Sequence, residues 1–398
     1  MRARELVLVA NARLPSQRAQ SLQVAQVAAA FERAGVATTL LHALRRDTPE
    51  VQNVQELWDY YAIAPGARPK AQAAKNIDWI DLVPRRLQYL PARLQELSFA
   101  RNAAKVVLAD YQNACVLSRE LECARRLVRA GRKDVFLEIH RVPGGSTRRR
   151  WLLEAATSAA GVIAISGGVR DDLITLGIQP ERLLVAHDGF ERERFANMPS
   201  RADARRELRL AADKPLVVYT GGLLAWKGVD ILIEAARLLP TINFVIAGGM
   251  DADVRTMSHL ASGLDNVRLD GFQAPERVAT YLAAGDVGVV PNRSQPSISS
   301  RYTSPLKVFE AQAAGLPLVV SDLPSLRDVL TEDQAAFVRA DDPKALAQGL
   351  RELIKDEARL KRFAGAMKSA SQGQSWDARA KRVLDWMSGR LSISPPGL

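Results

Sequence analysis

A stretch near residue 304 combines a predicted helix start with side chains that suit phosphate chemistry. Ser304 is a favoured N-cap, Pro305 suits the first helical position, and Gly315 ends the predicted helix. A helix N-terminus offers free backbone N–H groups and a positive dipole end to an anion. Lys307 and Glu310 share one helix face because they are three residues apart. A lysine can neutralise phosphate, and a glutamate can accept hydrogen bonds from ribose hydroxyls. The stretch therefore predicts a nucleoside diphosphate site, with a solvated Lys–Glu pair as the alternative.

A second segment with phosphate-binding character follows a predicted strand at Pro215–Thr220. Gly221 and Gly222 allow positive φ angles and a close approach of backbone to phosphate, and Lys227 supplies a point charge. Taken alone, such a segment is more often a tight turn beside a surface lysine. Two such segments in one chain make a diphosphate site the stronger prediction.

Apolar strands and amphipathic helices alternate around these segments. Leu6–Ala10 and Val36–Leu41 are predicted strands on either side of a helix at Ser21–Ala34, an order that implies a parallel sheet with helices on its faces. Lys105–Ala109 is predicted as a further strand. Ligands bind beyond the carboxyl ends of the strands in such sheets. The sequence therefore predicts a doubly wound α/β architecture with its sites at those ends.

Length and composition indicate more than one globular domain. The 398 residues exceed one ordinary core, and contents of 47% hydrophobic and 25% charged residues are typical of a soluble globular protein. The alternation is interrupted near residues 195–201 and resumes at Pro215, which predicts two Rossmann-like domains. Because no signal peptide or spanning segment is recognisable and there are only two cysteines, we expect a cytoplasmic protein.

The positive net charge is concentrated in one part of the chain. The formal charge is +11, and the segment from Arg119 to Arg150 contains ten basic residues against four acidic ones. Such a segment can bind nucleic acid or anionic lipid headgroups, with a solvated helix face as the alternative. No nucleic-acid motif or aromatic platform accompanies it, so no nucleic-acid partner is expected. We predict contact with an anionic membrane surface, peripherally at the inner membrane face.

Tyr219–Asp230 and Ser304–Asp322 together resemble the retaining family 4 glycosyltransferases of the GT-B fold. In that family a Gly-rich turn and a Lys-Gly helix start hold the nucleotide-sugar diphosphate. Gly271–Gln273 is similar to the loop that frames the base, and Glu138–His140 resembles the strand end that presents a histidine to the donor sugar. The resemblance extends over nearly the whole chain.

The resemblance implies a domain arrangement and a biological setting. It implies an acceptor-binding domain at residues 1–197, a nucleotide-sugar-binding domain at 198–375, and a closing helix at 376–398 that crosses back to the first domain, with the ligand in a cleft between the domains. Arg13–Ser16 and Trp58–Tyr61 resemble a subgroup that assembles bacterial surface polysaccharides.

The resemblance also implies a reaction and the residues that perform it. A hexosyl group would move from a nucleoside-diphosphate sugar to a hydroxyl of a glycan or lipid-linked acceptor, with retention, in polysaccharide or glycolipid biosynthesis. The implied catalytic residues are Lys227, His140 and Glu310. The implied donor-binding residues are Gly221, Gly222, Arg301, Ser304, Leu306, Lys307 and Phe272. No cofactor and no essential metal are expected, and we interpret Asp251–Asp253 as a helix-capping loop.

Two positions depart from the family pattern. Tyr302 stands where the first of two glutamates usually contacts the donor sugar, and Gly222 stands where an arginine usually binds phosphate. Arg301 can replace the missing charge, with simple solvent exposure as the alternative. The departures keep two other functions open, namely a nucleotide-sugar epimerase on the same fold and a non-catalytic binder of nucleotide or glycan.

Overall fold

A computed structural model describes residues 5–16, 19–46 and 53–393 and consists of two compact units. The first unit contains the chain up to Ile165, then Val169–His187 and the segment from Trp376 onward. The second contains Ser166–Gly168 and Asp188–Ser375. The chain therefore leaves the first unit at His187, before the boundary predicted at residue 197.

The residues just after His187 belong to the second unit because their backbone N–H groups donate hydrogen bonds to residues of that unit. The N–H of Asp188 donates to Ser304 Oγ at 2.7 Å. Phe190 pairs with Ser375 in an isolated parallel bridge, and its N–H donates to the carbonyl of Gln374 at 3.1 Å. These tertiary hydrogen bonds are not visible in the local sequence.

The first unit contains a parallel seven-stranded sheet. Its strands are β1 Glu5–Ala10, β2 Ala37–Ala43, β3 Lys70–Ala74, β4 Cys115–Ser118, β5 Val135–Ile139, β6 Gly161–Ala164 and β7 Leu183–Val185. They lie in the order β3-β2-β1-β4-β5-β6-β7. The central strands β4 and β5 are buried at every residue, as expected for a sheet covered on both faces.

Six helices lie between these seven strands along the chain. They are α1 Ala19–Arg33, α2 Val54–Tyr60, α3 Tyr89–Asp110, α4 Leu121–Arg129, α5 Ser146–Ser158 and α6 Gly167–Thr175. The predicted strand at Lys105–Ala109 is wrong, since these residues lie inside α3. Phe99, Ala103 and Val107 are buried at four-residue intervals, so the helical period over the longer window outweighs the short apolar run.

The second unit contains a parallel six-stranded sheet. Its strands are β8 Leu216–Thr220, β9 Asn243–Ala247, β10 Val267–Gly271, β11 Val287–Val290, β12 Leu318–Ser321 and β13 Ala335–Val338. They lie in the order β10-β9-β8-β11-β12-β13. Val217 and Tyr219 pack into one apolar cluster and Val218 into another, so β8 has a core on each face. This is the doubly wound arrangement that the alternation predicts.

Nine helices accompany this sheet. They are α7 Arg192–Ala196, α8 Arg201–Glu207, α9 Val229–Arg237, α10 Asp251–Leu260, α11 Val278–Ala284, α12 Leu306–Ala314, α13 Pro324–Arg327, α14 Pro343–Lys355 and α15 Glu357–Ser371. Asp251 and Asp253 lie in the first turn of α10 rather than in a capping loop before it. Their carboxylates there complement the positive end of the helix dipole.

The last helix, α16 Trp376–Ile393, packs into the first unit. Arg33 on α1 forms an ion pair with Asp377 at 2.7 Å. The Trp386 ring meets Phe136 of β5 edge-on at a centroid distance of 5.7 Å. It also lies against Gly161, where any side chain would overlap the indole. Within the part of the chain that the structure describes, no helix has the length and hydropathy needed to cross a membrane.

Candidate functional site

The turn that follows β8 brings backbone and a lysine side chain close together. Gly221 has φ +128°, and its N–H donates to the carbonyl of Ala247 at 2.9 Å. A Cβ placed on Gly221 would lie 3.4 Å from Lys307 Nζ, and one on Gly248 would overlap the Gly221 carbonyl. The glycines therefore allow β8, β9 and Lys307 to meet at the carboxyl end of the sheet.

Lys307 is buried without a hydrogen-bond partner. The side chain of this residue in the first turn of α12 is 9% exposed, and its Nζ has no acceptor among the described residues. The ammonium lies over the ring of Tyr219 at 3.6 Å from the centroid. Burial lowers the pKa of Lys307 well below its usual value, and the charge of Lys227 lowers it further, while Glu310 opposes the shift. An anion bound here would stabilise the charged form of Lys307.

Lys227 supplies a second positive charge next to this position. It ends the short 3₁₀ turn Ala225–Lys227, and its Nζ lies 3.8 Å from the ring centroid of Trp226. Burial lowers the pKa of Lys227 to about 8. Gly228 follows with φ +68°, and a Cβ there would overlap the Pro291 carbonyl, so the turn is fixed against the end of β11. No described residue pairs with the Lys227 ammonium in a hydrogen bond or ion pair.

The start of α12 differs from the prediction at one residue. The helix begins at Leu306 with Pro305 at the N-cap, so Ser304 is not the cap. The hydroxyl oxygen of Ser304 instead accepts the Asp188 N–H, a tertiary bond that local pattern cannot reveal. The amides of Leu306 and Lys307 have no acceptor among the described residues. Gly315 ends the helix in the left-handed conformation, as predicted.

Glu310 lies one turn further along α12 and faces a cation that the sequence analysis missed. Arg194 of α7 approaches it with 3.7 Å between Nη1 and Oε1, and both side chains are largely buried. Burial raises the pKa of Glu310, while Arg194 and Lys307 oppose that shift. The carboxylate is thus held in place by a neighbour from the segment just after His187.

The other predicted donor-binding residues have different local surroundings. Tyr219 donates its hydroxyl hydrogen to the Gly222 carbonyl at 2.6 Å, which fixes the second glycine of the turn. Arg301 lies in a π-helical turn, Ile298–Tyr302, with its guanidinium 5.8 Å from the Tyr302 ring centroid. Phe272 follows β10 with 46% of its side chain exposed. Tyr219 is an additional candidate that sequence reasoning missed, because its strand position alone suggests only core packing.

His140 lies in the first unit, at the end of β5, and is described within that unit. Its Nε2 lies 2.8 Å from a Glu138 carboxylate oxygen and therefore donates, while Nδ1 faces Arg119 Nη2 at 3.4 Å. Arg379 of α16 also binds Glu138 at 2.7 Å. Burial alone raises the pKa of Glu138, but Arg379, the hydrogen bond from His140 and Arg119 bring it well below its usual value. Both ring nitrogens of His140 are thus engaged within this cluster.

The structure therefore brings Gly221, Lys227, Lys307 and Glu310 to one end of the second sheet. It places His140 in the other unit, within a buried ionic cluster. The donors at the sheet end indicate its chemistry. Two ammonium groups and two helix N–H groups that have no acceptor among the described residues suit a phosphate or diphosphate.

Comparisons with known proteins agree with this geometry. Residues 214–356 match the model of the family described as glycosyl transferases, group 1. A D-inositol 3-phosphate glycosyltransferase of Xylanimonas cellulosilytica is 29% identical over 246 residues, which cover 58% of this chain and 57% of that protein. The chain thus spans little more than half the length of this relative.

Solved structures resemble the whole chain in fold. Sucrose-phosphate synthase from Thermosynechococcus elongatus has a TM-score of 0.76 at 19% identity, covering 98% of this chain and 100% of that one. HepE from Anabaena, solved in complex with UDP, has a TM-score of 0.73 at 16% identity, covering 97% and 100%.

Together with the two parallel sheets, these likenesses confirm the predicted α/β GT-B fold. The predicted resemblance to the family 4 glycosyltransferases is confirmed as well, since residues 214–356 match the group 1 glycosyl transferase model.

Proposed function

We propose that the protein is a glycosyltransferase that takes a hexosyl group from a nucleoside-diphosphate sugar. The observation that carries this proposal is the pair Lys227 and Lys307. Both ammonium groups are desolvated and lack a described hydrogen-bond partner, and their charges repel each other. Such a pair is costly in the ligand-free protein and favourable once a diphosphate neutralises it. A relative named as a glycosyltransferase and a structural neighbour bound to UDP support the same ligand class.

The proposed chemistry is electrostatic stabilisation of a leaving diphosphate. The bond between the anomeric carbon and the β-phosphate oxygen breaks with its electron pair on phosphate, and the acceptor hydroxyl oxygen bonds to that carbon. The hydroxyl proton passes to the departing phosphate oxygen on the same face, which gives retention. Lys227, Lys307 and the amide of Leu306 would stabilise the developing negative charge. Phosphate would also raise the lowered pKa of both lysines and keep them protonated.

The proposal assigns the other donor contacts to the residues that the family resemblance implies. Glu310, oriented by Arg194, would accept hydrogen bonds from the ribose hydroxyls. Gly222, Arg301 and Phe272 stay proposed donor contacts, whereas Ser304 acts on the site through its bond to Asp188. We infer that the first unit receives the acceptor, a glycan or lipid-linked hydroxyl of polysaccharide or glycolipid biosynthesis in the cytoplasm.

His140 remains our candidate for a donor-sugar contact. Its Nε2 is engaged with Glu138 and its Nδ1 with Arg119, so such a contact requires one of these hydrogen bonds to be exchanged. We propose that the transfer reaction needs neither a cofactor nor an essential metal.

The decisive experiment replaces Lys227 by alanine. We expect release of nucleoside diphosphate from the matching donor and acceptor to fall roughly 100- to 1,000-fold, as when one charge-stabilising donor is lost. Lys361→Ala, an exposed lysine on α15, is the matched control and should keep wild-type turnover. Thermal shift with UDP, GDP and ADP first identifies the base. Normal turnover of Lys227→Ala would disprove the assignment.

A second candidate function is a non-catalytic nucleotide binder, which Tyr302 favours because it replaces the carboxylate expected near the donor sugar. Calorimetry separates the two functions. Tight nucleotide binding without turnover of any donor, in the presence of acceptor, would favour the binder, whereas nucleoside diphosphate released only with acceptor favours transfer over an epimerase.

A further inference from the structure

Exposed large apolar side chains are concentrated in one short segment of the first unit. Five of them lie between residues 79 and 90 and expose about half or more of their area: Trp79 49%, Leu82 66%, Leu87 59%, Tyr89 77% and Leu90 69%. We call this the 79–90 surface. Scattered exposed leucines are ordinary, but five large exposed apolar side chains within twelve residues of sequence favour an interaction site.

Two ion pairs join the start of this segment to arginines of the first unit. Asp78 is buried and binds Arg45 at 3.1 Å, and Asp81 binds the buried Arg13 at 2.8 Å. Asp78 is therefore held inside the protein and Asp81, although exposed, is tied to Arg13, while the neighbouring Trp79 and Leu82 are left in solvent. Such an arrangement costs hydration free energy unless an apolar partner covers the surface.

Exposed cations lie within or next to the 79–90 surface in the sequence, and one is joined to it by a hydrogen bond. Arg46, Lys75 and Arg86 are exposed, and none has a carboxylate partner within the described ranges. Arg46 is anchored beside the surface because its N–H donates to Asp78 at 2.9 Å. A segment that combines Trp and Tyr with leucines and cations has the composition of proteins that bind at the boundary between headgroups and acyl chains.

We propose that the 79–90 surface docks on a lipid bilayer that contains anionic headgroups. Leu82, Leu87 and Leu90 insert among the acyl chains, Trp79 and Tyr89 lie at headgroup level, and Arg86 binds the headgroups. A second copy of the chain is a poorer occupant, because a two-fold contact would bring the same cations face to face. The proposal is independent of the donor chemistry at the second sheet.

The basic segment from Arg119 to Arg150 is less suited to this role than its charge suggests. Arg125 and Arg129 both bind Glu154, and Arg132 binds Asp134. Part of the excess charge is therefore neutralised within the first unit, and this segment lacks a comparable group of exposed apolar side chains among the described residues.

The test is sedimentation of the full chain with vesicles of phosphatidylcholine, alone or mixed with phosphatidylglycerol. We expect binding to the mixed vesicles. Leu87→Ser with Leu90→Ser should weaken it about tenfold for each leucine that inserts. Arg86→Gln should weaken it about fivefold at low salt, with little effect at high salt. The matched control, Leu238→Ser with Leu260→Ser, removes two exposed leucines of the second unit and should bind as the wild type.

Three results would overturn the proposal. The first is wild-type protein that stays in the supernatant with both kinds of vesicle. The second is vesicle binding that survives Leu87→Ser with Leu90→Ser but is lost in Arg126→Gln with Arg150→Gln, which would assign docking to the Arg119–Arg150 segment. The third is a wild-type dimer, seen by light scattering, that this leucine variant converts to monomer without any vesicle binding. Circular dichroism and UDP binding of the leucine variant verify its fold separately.

Discussion

Replacing Lys307 by methionine should make the ligand-free protein more stable and its nucleotide binding weaker. The buried ammonium has no acceptor in the described part of the chain, and the charge of Lys227 repels it. An unsatisfied buried polar group costs about 1–3 kcal/mol, and more when it is charged. Methionine keeps the unbranched apolar stem beside Tyr219 and removes the charge, so we expect the free energy of unfolding to rise by about 1–3 kcal/mol.

The same substitution should weaken binding of UDP, or of whichever diphosphate the thermal shift identifies. A hydrogen bond to a charged group contributes about 1.5–3 kcal/mol, which corresponds to a roughly 10- to 100-fold higher Kd. Urea unfolding with and without nucleotide, together with calorimetry, measures both effects. Lys361→Met, at an exposed position on α15, should change neither quantity by much.

The pH dependence of stability gives an independent readout. Because burial lowers the pKa of Lys307 in the folded state, the unfolded chain binds more protons between that value and the ordinary lysine pKa. Stability of the wild type should therefore increase as pH rises through this window, and Lys227 should add to the slope above about pH 8. The methionine variant should show a smaller slope.

The reasoning would be refuted by a Lys307→Met variant that is less stable without ligand and binds diphosphate with wild-type affinity. That outcome would mean that the Lys307 ammonium stabilises the fold through its contact with Tyr219 and does not serve an anion. A stabilised variant with unchanged affinity would equally remove Lys307 from the binding site.

Further predictions concern the turn and the buried ion pair. Gly221→Ala should lower the free energy of unfolding by about 1 kcal/mol or more, because φ is +128° and the new methyl would crowd Lys307; Gly222→Ala, which faces open space, should be nearly neutral in the same urea titration. Arg379→Met should cost about 3–5 kcal/mol because it removes one of the two arginines that face the buried Glu138, and adding Glu138→Gln should restore part of the loss. Since the pKa of Glu138 is lowered by folding, its contribution is complete above the unfolded carboxyl pKa of about 4.3 and disappears as pH falls below it, which acid unfolding monitors.

The sequence predicts most of what local pattern controls. Gly315 ends α12 where expected, and the β8 turn forms at the predicted Gly-Gly pair, because backbone conformation and helix stops depend on nearby residues. Ser304 is the instructive failure. A serine before Pro305 resembles an N-cap, but its hydroxyl oxygen accepts a hydrogen bond from the Asp188 N–H, which is 116 positions away in sequence.

Long-range ion pairs explain the other gaps. The pairing of Arg194 with Glu310 and of Arg379 with Glu138 joins residues whose local contexts contain no signal for each other. The predicted strand at Lys105–Ala109 failed for a different reason: five apolar-rich residues fit either state, and only the burial of Phe99 and Ala103 on the same face identifies a helix.

The placement of α16 in the first unit has a consequence for the order in which the protein can fold during synthesis. Glu138 and Phe136 lie in the middle of the first sheet, yet their partners Arg379 and Trp386 are translated only after the whole second unit. At 5–20 residues per second, the ribosome needs on the order of ten seconds or more to make that intervening segment. The unit that is synthesised first is therefore completed last, and until then Glu138 and Phe136 lack the partners that α16 supplies.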